Sequence, residues 1–159
     1  MGIIFKEETR EFHLFNQHLS YVLCVLPNGH IGNLYFGKCV NPKESYTYLL
    51  EMGSRPLTSY VFEDDMTFSL QHTRQEYACY GTGDFAQPAF MIKQRDGSCL
   101  SHFTFDSFRI FSGKEGLNGL PATYVEAEDE ATSLEITLID RVTETRLYLL
   151  YTIYEERSV

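Results

Sequence analysis

The sequence holds no tryptophan, no closely spaced cysteine pair, no cluster of lysine and arginine, and no apolar run near the roughly twenty residues that cross a bilayer. Each absence removes a class of function. With 13 basic against 22 acidic residues the net charge is -9, so phosphate backbones and anionic lipid are repelled, and neither nucleic acid nor membrane is expected as a partner. Cys24, Cys39, Cys79 and Cys99 stand at least fifteen positions apart, which fits no metal or redox spacing and predicts reduced thiols. His13, His18, His30, His72 and His102 form no H-x-x-x-H or H-E-x-x-H pair, so neither metal nor cofactor is expected. The opening "MGIIFKEE" cuts its apolar trio at Lys6, Glu7 and Glu8, too early for a secretory leader, and lacks the hydroxyl residue of an acylation signal. These features together predict a cytoplasmic protein.

Catalytic signatures are missing as well. No G-x-S-x-G occurs, and Gly113-Lys114 leads into Glu115 and a proline-bearing connector instead of the Ser or Thr and helix of a phosphate loop.

What the sequence has in quantity is aromatic: 12 Phe and 11 Tyr in 159 residues, interleaved with Val, Ile, Leu and Thr. Such residues suit strands, and the length suits a single core, so one all-β domain over 1–159 is predicted. "SYVLCVL" and "HIGNLYF" flank Asn28-Gly29, whose tolerance of positive φ marks a hairpin of strands 20–26 and 30–36. "EFHLF" at 11–15 adds a third strand through the turn at 16–18, and a meander with an apolar face must pack on a second layer. Residues 37–66, punctuated by Pro42, Gly53 and Pro56, read as a long excursion with at most one short helix or strand at 45–51. "TFSLQH" at 67–72 reads as a short strand, 73–87 as a loop, and "PAFMIKQ" with "SCLSHFTFDSFRIF" as a hairpin across Asp96-Gly97.

Leu134, Ile136 and Leu138 alternate with more polar neighbours over 133–140. "RLYLLYTIYEE" at 146–156 is apolar on both parities and therefore needs cover on both faces. Either the Gly- and Pro-rich loops supply that cover or residues outside this chain do; the sequence leaves both open.

Acids are plentiful but unpaired in pattern. Glu63, Asp64 and Asp65 could form half of a glycosidase pair, which needs two carboxyls flanking one bond at about 5 Å or about 6.5 to 9.5 Å, yet three successive acids more simply form a solvated loop. Glu76, after Arg74, suggests a local ion pair, and Asp84, between Gly83 and Phe85, suggests a turn acceptor of backbone N–H bonds. Tyr77, Tyr80, Phe85 and Phe90 around the glycines suit core filling, an interface anchor or a sugar-stacking platform alike. His72 and His102 become neighbours if their strands pair.

Four stretches carry a resemblance: "FHLFNQHLSYVLCVLPNGHIGNLYFGK" at 12–38, "TFSLQHTRQEYACYGTGDFAQPAF" at 67–90, "GLPATYVEAEDEATSLEITLID" at 119–140 and "LLYTIYEE" at 149–156. With the combination Gln75-Glu76-Tyr77, Tyr80-Gly81, Asp84-Phe85, Pro88-Ala89 and the run Gly119 to Glu126, they resemble the N-terminal domain of the bacterial alpha-galactosidases of glycoside hydrolase family 36. The resemblance implies an antiparallel β-sandwich that is part of a supersandwich, preceding a catalytic (β/α)8 barrel absent from this chain. It implies retaining hydrolysis of terminal alpha-D-galactosyl residues from melibiose or raffinose, by two barrel aspartates. The chain is then a noncatalytic scaffold and oligomerisation portion whose partners are the barrel, sister subunits of a tetramer and the parent enzyme's alpha-galactoside.

In tetrameric members a loop of this domain approaches a neighbour's sugar pocket, and the matching stretch is 50–66. Relatives carry an aspartate near Met52 to Ser54 and an arginine where this sequence has Met66, a departure for which Glu51 and Arg55 are the substitutes. Glu51, Arg55, Asp64, Asp65, Tyr80, Asp84 and Phe85 are thus the candidate substrate-proximal or interface residues, with no catalytic residue among them. The alternative from another class is an autonomous carbohydrate-binding or protein-interaction β module.

Overall fold

A computed structural model describes residues 1–121, 123 and 125–157. Among these residues seven strands form two antiparallel sheets: β1 (Gly2–Lys6), β2 (Glu11–Phe15), β3 (Leu19–Val25) and β4 (Ile31–Lys38) in one, and β5 (Thr104–Ser112), β6 (Ala131–Asp140) and β7 (Thr145–Tyr154) in the other. Each sheet is a simple meander. The predicted all-β sandwich is the architecture found.

Local chemistry explains the first hairpin. Val25 pairs with Ile31, the Leu26 N–H donates to the His30 carbonyl at 2.8 Å, and Gly29 takes φ +86°, a region that favours a residue without Cβ. The N-terminal trio, read from sequence only as too short for a leader, is strand β1. Ile3 and Phe5 turn inward while Ile4 is exposed, and the Phe5 ring lies 4.5 Å from Phe12 and 4.6 Å from Phe108, joining the two sheets.

Between the sheets sits the larger core, with Phe12, Leu14, Leu23, Leu134, Ile136 and Ile153 among its buried members. The opposite face of β3 is buried too. Val22, Cys24 and Leu26 meet Leu34, Tyr46, Phe68 and Leu70, so the excursion after β4 folds back as a third layer. Beyond the end of β4 at Lys38, its only helix or strand among residues 39–66 is a 3₁₀ turn at Thr47–Leu49, within the span expected for a short element at 45–51. Fully buried Glu11 fixes this layer by accepting from Ser45 Oγ at 2.9 Å and the Tyr46 N–H at 2.8 Å, with Lys6 Nζ 4.0 Å away.

Two expected strands do not form. Residues 67–72 bury Phe68 and Leu70 without joining a ladder, and 88–94 make no hairpin with 98–111. The turn at Asp96-Gly97 exists, with the Gln94 N–H donating to the Ser98 carbonyl at 2.9 Å, but it ends there because β5 pairs with β6 instead. Apolar patterning signalled burial correctly at Phe68, Leu70 and Phe103; it could not specify the backbone's partner.

Among the described residues β7 pairs only with β6 and forms the edge of its sheet. Leu147, Leu149, Tyr151 and Ile153 face the core, while on the other face Tyr148 is 54% exposed. The connector does reach that outer face: Lys114, Leu117 and Thr123 look across an open cavity of about 540 Å³ at Leu150, Thr152 and Tyr154. Thr123 Oγ1 lies 2.6 Å from the Tyr154 hydroxyl. Ala122 and Tyr124 of the Gly119 to Glu126 run lie outside the described residues.

Candidate functional site

Residues 50–103 carry the candidate substrate-proximal or interface residues named from the sequence, and the segment's main chain joins the first sheet at one short stretch. Gln75 bridges to Gly32, the Asn33 N–H donates to the Arg74 carbonyl at 2.9 Å and the Glu76 N–H to the Ile31 carbonyl at 2.9 Å. Three residues thus act as a brief fifth strand on β4. Their side chains then diverge to organise the rest.

Glu76 is the node. Its carboxylate accepts from the Tyr21 hydroxyl at 2.6 Å, Asn33 Nδ2 at 2.8 Å and the Tyr151 hydroxyl at 2.8 Å, so a single loop side chain ties β3, β4 and β7 across the sandwich. Burial and the carboxylate hold both phenols above their usual range. The expected ion pair with Arg74 is not made; Arg74 Nη2 donates to the Leu34 carbonyl at 3.0 Å. Partners 43 to 75 positions away left no local signal of this role.

Asp84 behaves as a turn acceptor. Buried, it accepts the Ala86 N–H at 3.0 Å and Gln75 Nε2 at 2.7 Å, and its main chain exchanges bonds with Gly81 at 2.7 and 3.1 Å. Gly81 and Gly83 make this possible with φ of +100° and +102°. Gln75 Oε1 continues the chain to His30 Nδ1 at 3.0 Å, and burial holds the His30 imidazole below its ordinary pKa. The His30 ring lies 5.2 Å from that of His102 at a tilt of 58°, whereas His72 Nδ1 lies 3.1 Å from Arg55 Nη1. His72 and His102 are therefore not neighbours, since the strand pairing that would join them is absent. The second ring nitrogens of His30 and His72 are buried without a partner among the described residues.

Glu51 and Arg55 pair with each other at the surface, and Arg55 also supports the loop by its carbonyl, which accepts from Thr58 Oγ1 at 3.0 Å and the Tyr60 hydroxyl at 3.2 Å. Asp65 accepts from the Thr67 N–H at 2.8 Å and from Thr67 Oγ1, which holds its carboxyl below the usual range. Asp64 is exposed. Tyr80 and Phe85 meet edge to face at 5.9 Å with Phe85 58% exposed, while Tyr77 stacks on Phe90 at 5.0 Å and Phe90 meets Phe103 in a tilted contact at 5.5 Å. The first pair is free to contact something else; Phe90 and Phe103 belong to the core.

Chemically, Glu51, Asp65, Glu76 and Asp84 are acceptors already engaged by nearby donors. A cavity of about 350 Å³ near the end of β7 is lined by Asp129, Glu130, Glu155 and Glu156. Three of these are exposed, and Glu130 accepts the Ala127 N–H at 3.2 Å to cap its own 3₁₀ turn. A glycosidase acid must instead be desolvated to keep its proton at neutral pH. Among the described residues no three His, Cys, Asp or Glu side chains are grouped to hold a metal ion.

Comparison with known proteins gives a consistent answer. The family model for the glycosyl hydrolase family 36 N-terminal domain matches residues 29–159. Alpha-galactosidase AgaA of Geobacillus stearothermophilus is 36% identical over 159 residues, covering all of this chain and 22% of the relative. The crystal structure of alpha-galactosidase AgaB from the same organism superposes with a TM-score of 0.86 at 38% identity, over 98% of this chain and 21% of the other. That of the alpha-galactosidase from Lactobacillus brevis gives 0.90 at 34% identity, over 96% and 20%. The chain spans about a fifth of the length of the relatives it matches.

Proposed function

The chain belongs to the glycosyl hydrolase family 36 N-terminal domain family, and on that premise we propose that it is the noncatalytic N-terminal part of an alpha-galactosidase. The parent enzyme releases terminal alpha-D-galactosyl groups from melibiose- or raffinose-type sugars with retention, using carboxylates that this chain does not supply. The chain's part is scaffold and subunit contact within a cytoplasmic homo-oligomer, a tetramer for the parent enzyme. Its unpaired cysteines are compatible with a reducing compartment.

The observation that carries this reading is the division of labour within residues 50–103. The buried acids Asp84 and half-buried Glu76 bond their own neighbours, while Leu57, Met66, Phe85, Met91 and Leu100 lie more than half exposed on the same loops. Engaged acids and uncovered apolar side chains suit a surface that packs on protein better than one that cleaves sugar. Loop 50–66, with Glu51 and Arg55 at its start and Asp64 and Asp65 at its end, is the part we assign to the neighbouring subunit's pocket. Replacing Arg55 by Ala in the complete enzyme is expected to raise KM for galactosides, and unchanged kinetics and assembly would remove Arg55 from that site.

A second reading rests on the exposed Tyr80–Phe85 pair, which offers a face and an edge to a sugar, as an autonomous carbohydrate-binding module would. Calorimetric titration of the purified chain with galactose and raffinose separates the two. The scaffold reading expects no heat of binding; saturable binding lost in Phe85→Ala would favour the module.

A further inference from the structure

The face of β2 and β3 that lies under the third layer buries polar side chains whose donors and acceptors balance one by one. Ser20 is fully buried and His13 nearly so. Ser20 Oγ accepts the Val40 N–H at 3.0 Å and lies 2.9 Å from His13 Nε2. Its own proton has no other acceptor among the described residues, so the hydroxyl donates to Nε2 and the neutral imidazole carries its hydrogen on Nδ1. Nδ1 faces the Tyr46 hydroxyl at 3.5 Å, and that hydroxyl donates to the Asn41 carbonyl at 2.9 Å. Neutral His13 thus completes one chain, and segment 39–50 holds both ends of it, Val40 at one and Tyr46 with Asn41 at the other.

A second proton on the ring upsets this balance. Nε2 becomes a donor aimed at Ser20 Oγ, and the serine hydroxyl loses its acceptor while the Val40 N–H still points at the same oxygen. One buried donor is then left over, and water reaches it only if the segment lifts. The charge is poorly placed as well. Lys6 of β1 opposes it; Glu11 of β2 favours it, yet that carboxylate already accepts from Ser45 Oγ and the Tyr46 N–H and has Lys6 Nζ at 4.0 Å. Burial first, and Lys6 second, hold the imidazole below its ordinary value. Burial pushes up the Tyr46 phenol and the Cys24 thiol of β3, so neither offers a compensating anion. Lys43 and Glu44 of the segment are exposed and meet the layer through their carbonyls, which accept Lys6 Nζ.

We propose that His13 is a proton-operated latch: neutral, it seals segment 39–50 onto the first sheet through Ser20 and Tyr46, and protonated, it makes that segment lift. Little else in the main chain resists the movement. The segment holds a single 3₁₀ turn, and apart from the Cys39 N–H, which donates to the His18 carbonyl at 3.1 Å, its bonds to the sheet run through side chains. It leads directly into Glu51, so the movement that opens the latch also frees the start of loop 50–66. That further consequence, for a neighbouring subunit's pocket, rests on the loop assignment proposed above.

Histidine ring nitrogen shifts and amide exchange of the 159-residue chain test the latch. At neutral pH the His13 ring shows hydrogen on Nδ1 and a bare Nε2. As pH falls below 6.5, toward the lower value that the closed layer imposes on His13, the Val40 and Tyr46 amides lose protection by about tenfold per pH unit after correction for intrinsic exchange. Leu134 and Ile136, in the central strand β6, keep theirs over the same range. His13→Gln retains an acceptor for the Ser20 hydroxyl without a titrating group, and its Val40 amide stays protected throughout.

Hydrogen on Nε2 of the neutral ring overturns the latch, and this reading of the parent chain decides even where His13→Gln fails to fold. Acid loss of Val40 protection that is the same in His13→Gln overturns it too, and passes the role to Glu11. The consequence for the loop is read separately, with residues 1–159 grafted in place of the matching stretch of Geobacillus stearothermophilus AgaA. At a pH where the Val40 amide of the graft has lost its protection, KM for galactosides rises in the parent graft and not in its His13→Gln form. An unchanged KM at that pH removes loop 50–66 from the neighbouring pocket and leaves the latch standing.

Discussion

Replacing Glu76 by glutamine asks whether one loop carboxylate binds the two sheets together. Three donors converge on it, the Tyr21 and Tyr151 hydroxyls at 2.6 and 2.8 Å and Asn33 Nδ2 at 2.8 Å. Glutamine keeps one acceptor oxygen, loses the charge and turns an NH2 group toward a donor that the carboxylate had accepted from. A hydrogen bond to a charged group contributes about 1.5 to 3 kcal/mol when buried. All four residues here are partly exposed, so water recovers a good share. The expected loss is therefore about 2 kcal/mol for Glu76→Gln, with roughly 1 kcal/mol of coupling to Tyr151→Phe in a double-mutant cycle. Urea unfolding of the free chain, followed by tyrosine emission and circular dichroism, should show the midpoint falling by roughly 1 M. A midpoint within error of the parent, or additive Glu76→Gln and Tyr151→Phe effects, would refute the clamp.

Acid weakens the fold through buried imidazoles: burial lowers the His13 and His30 pKa values from 6.5, so the unfolded chain takes up protons first. Stability present above pH 6.5 should fall as pH drops below it, and a His30→Gln variant should show a shallower acid limb in urea titrations. Asn16→Ala should cost about 2 to 3 kcal/mol, because it deletes two bonds to the end of β7 and two to its own turn; unchanged unfolding midpoints would contradict this. Gly81→Ala forces a side chain to φ +100° with its Cβ 2.8 Å from Leu100 Cδ2, and thermal unfolding should register a loss of about 1 to 3 kcal/mol.

Legibility followed the range of the interactions. The turn at Asn28-Gly29 was readable because its φ requirement is met within two residues, and Asp84 because its acceptor role is met within the 81–86 turn. β6 and β7 announced themselves by alternation and by apolar density. Strand β1 was missed since five residues carry too little pattern, and its status depends on Phe12 and Phe108 far along the chain. At 67–72 and 88–94 the apolar spacing reported burial, while the backbone found no ladder because the neighbouring edges were already taken by 74–76 and by β6. Glu76, Asn16 and Glu11 were opaque for the same reason: a polar side chain names its capacity in the sequence, and only the tertiary structure supplies the partner.

The most direct measurement compares aryl alpha-galactoside turnover by three preparations: the 159-residue chain, AgaA lacking the matching stretch, and AgaA with the chain grafted in its place. A noncatalytic N-terminal part predicts no turnover by the first two and hydrolysis by the third. Turnover that stays with the purified chain through successive columns, or full activity in AgaA without the stretch, would contradict the account.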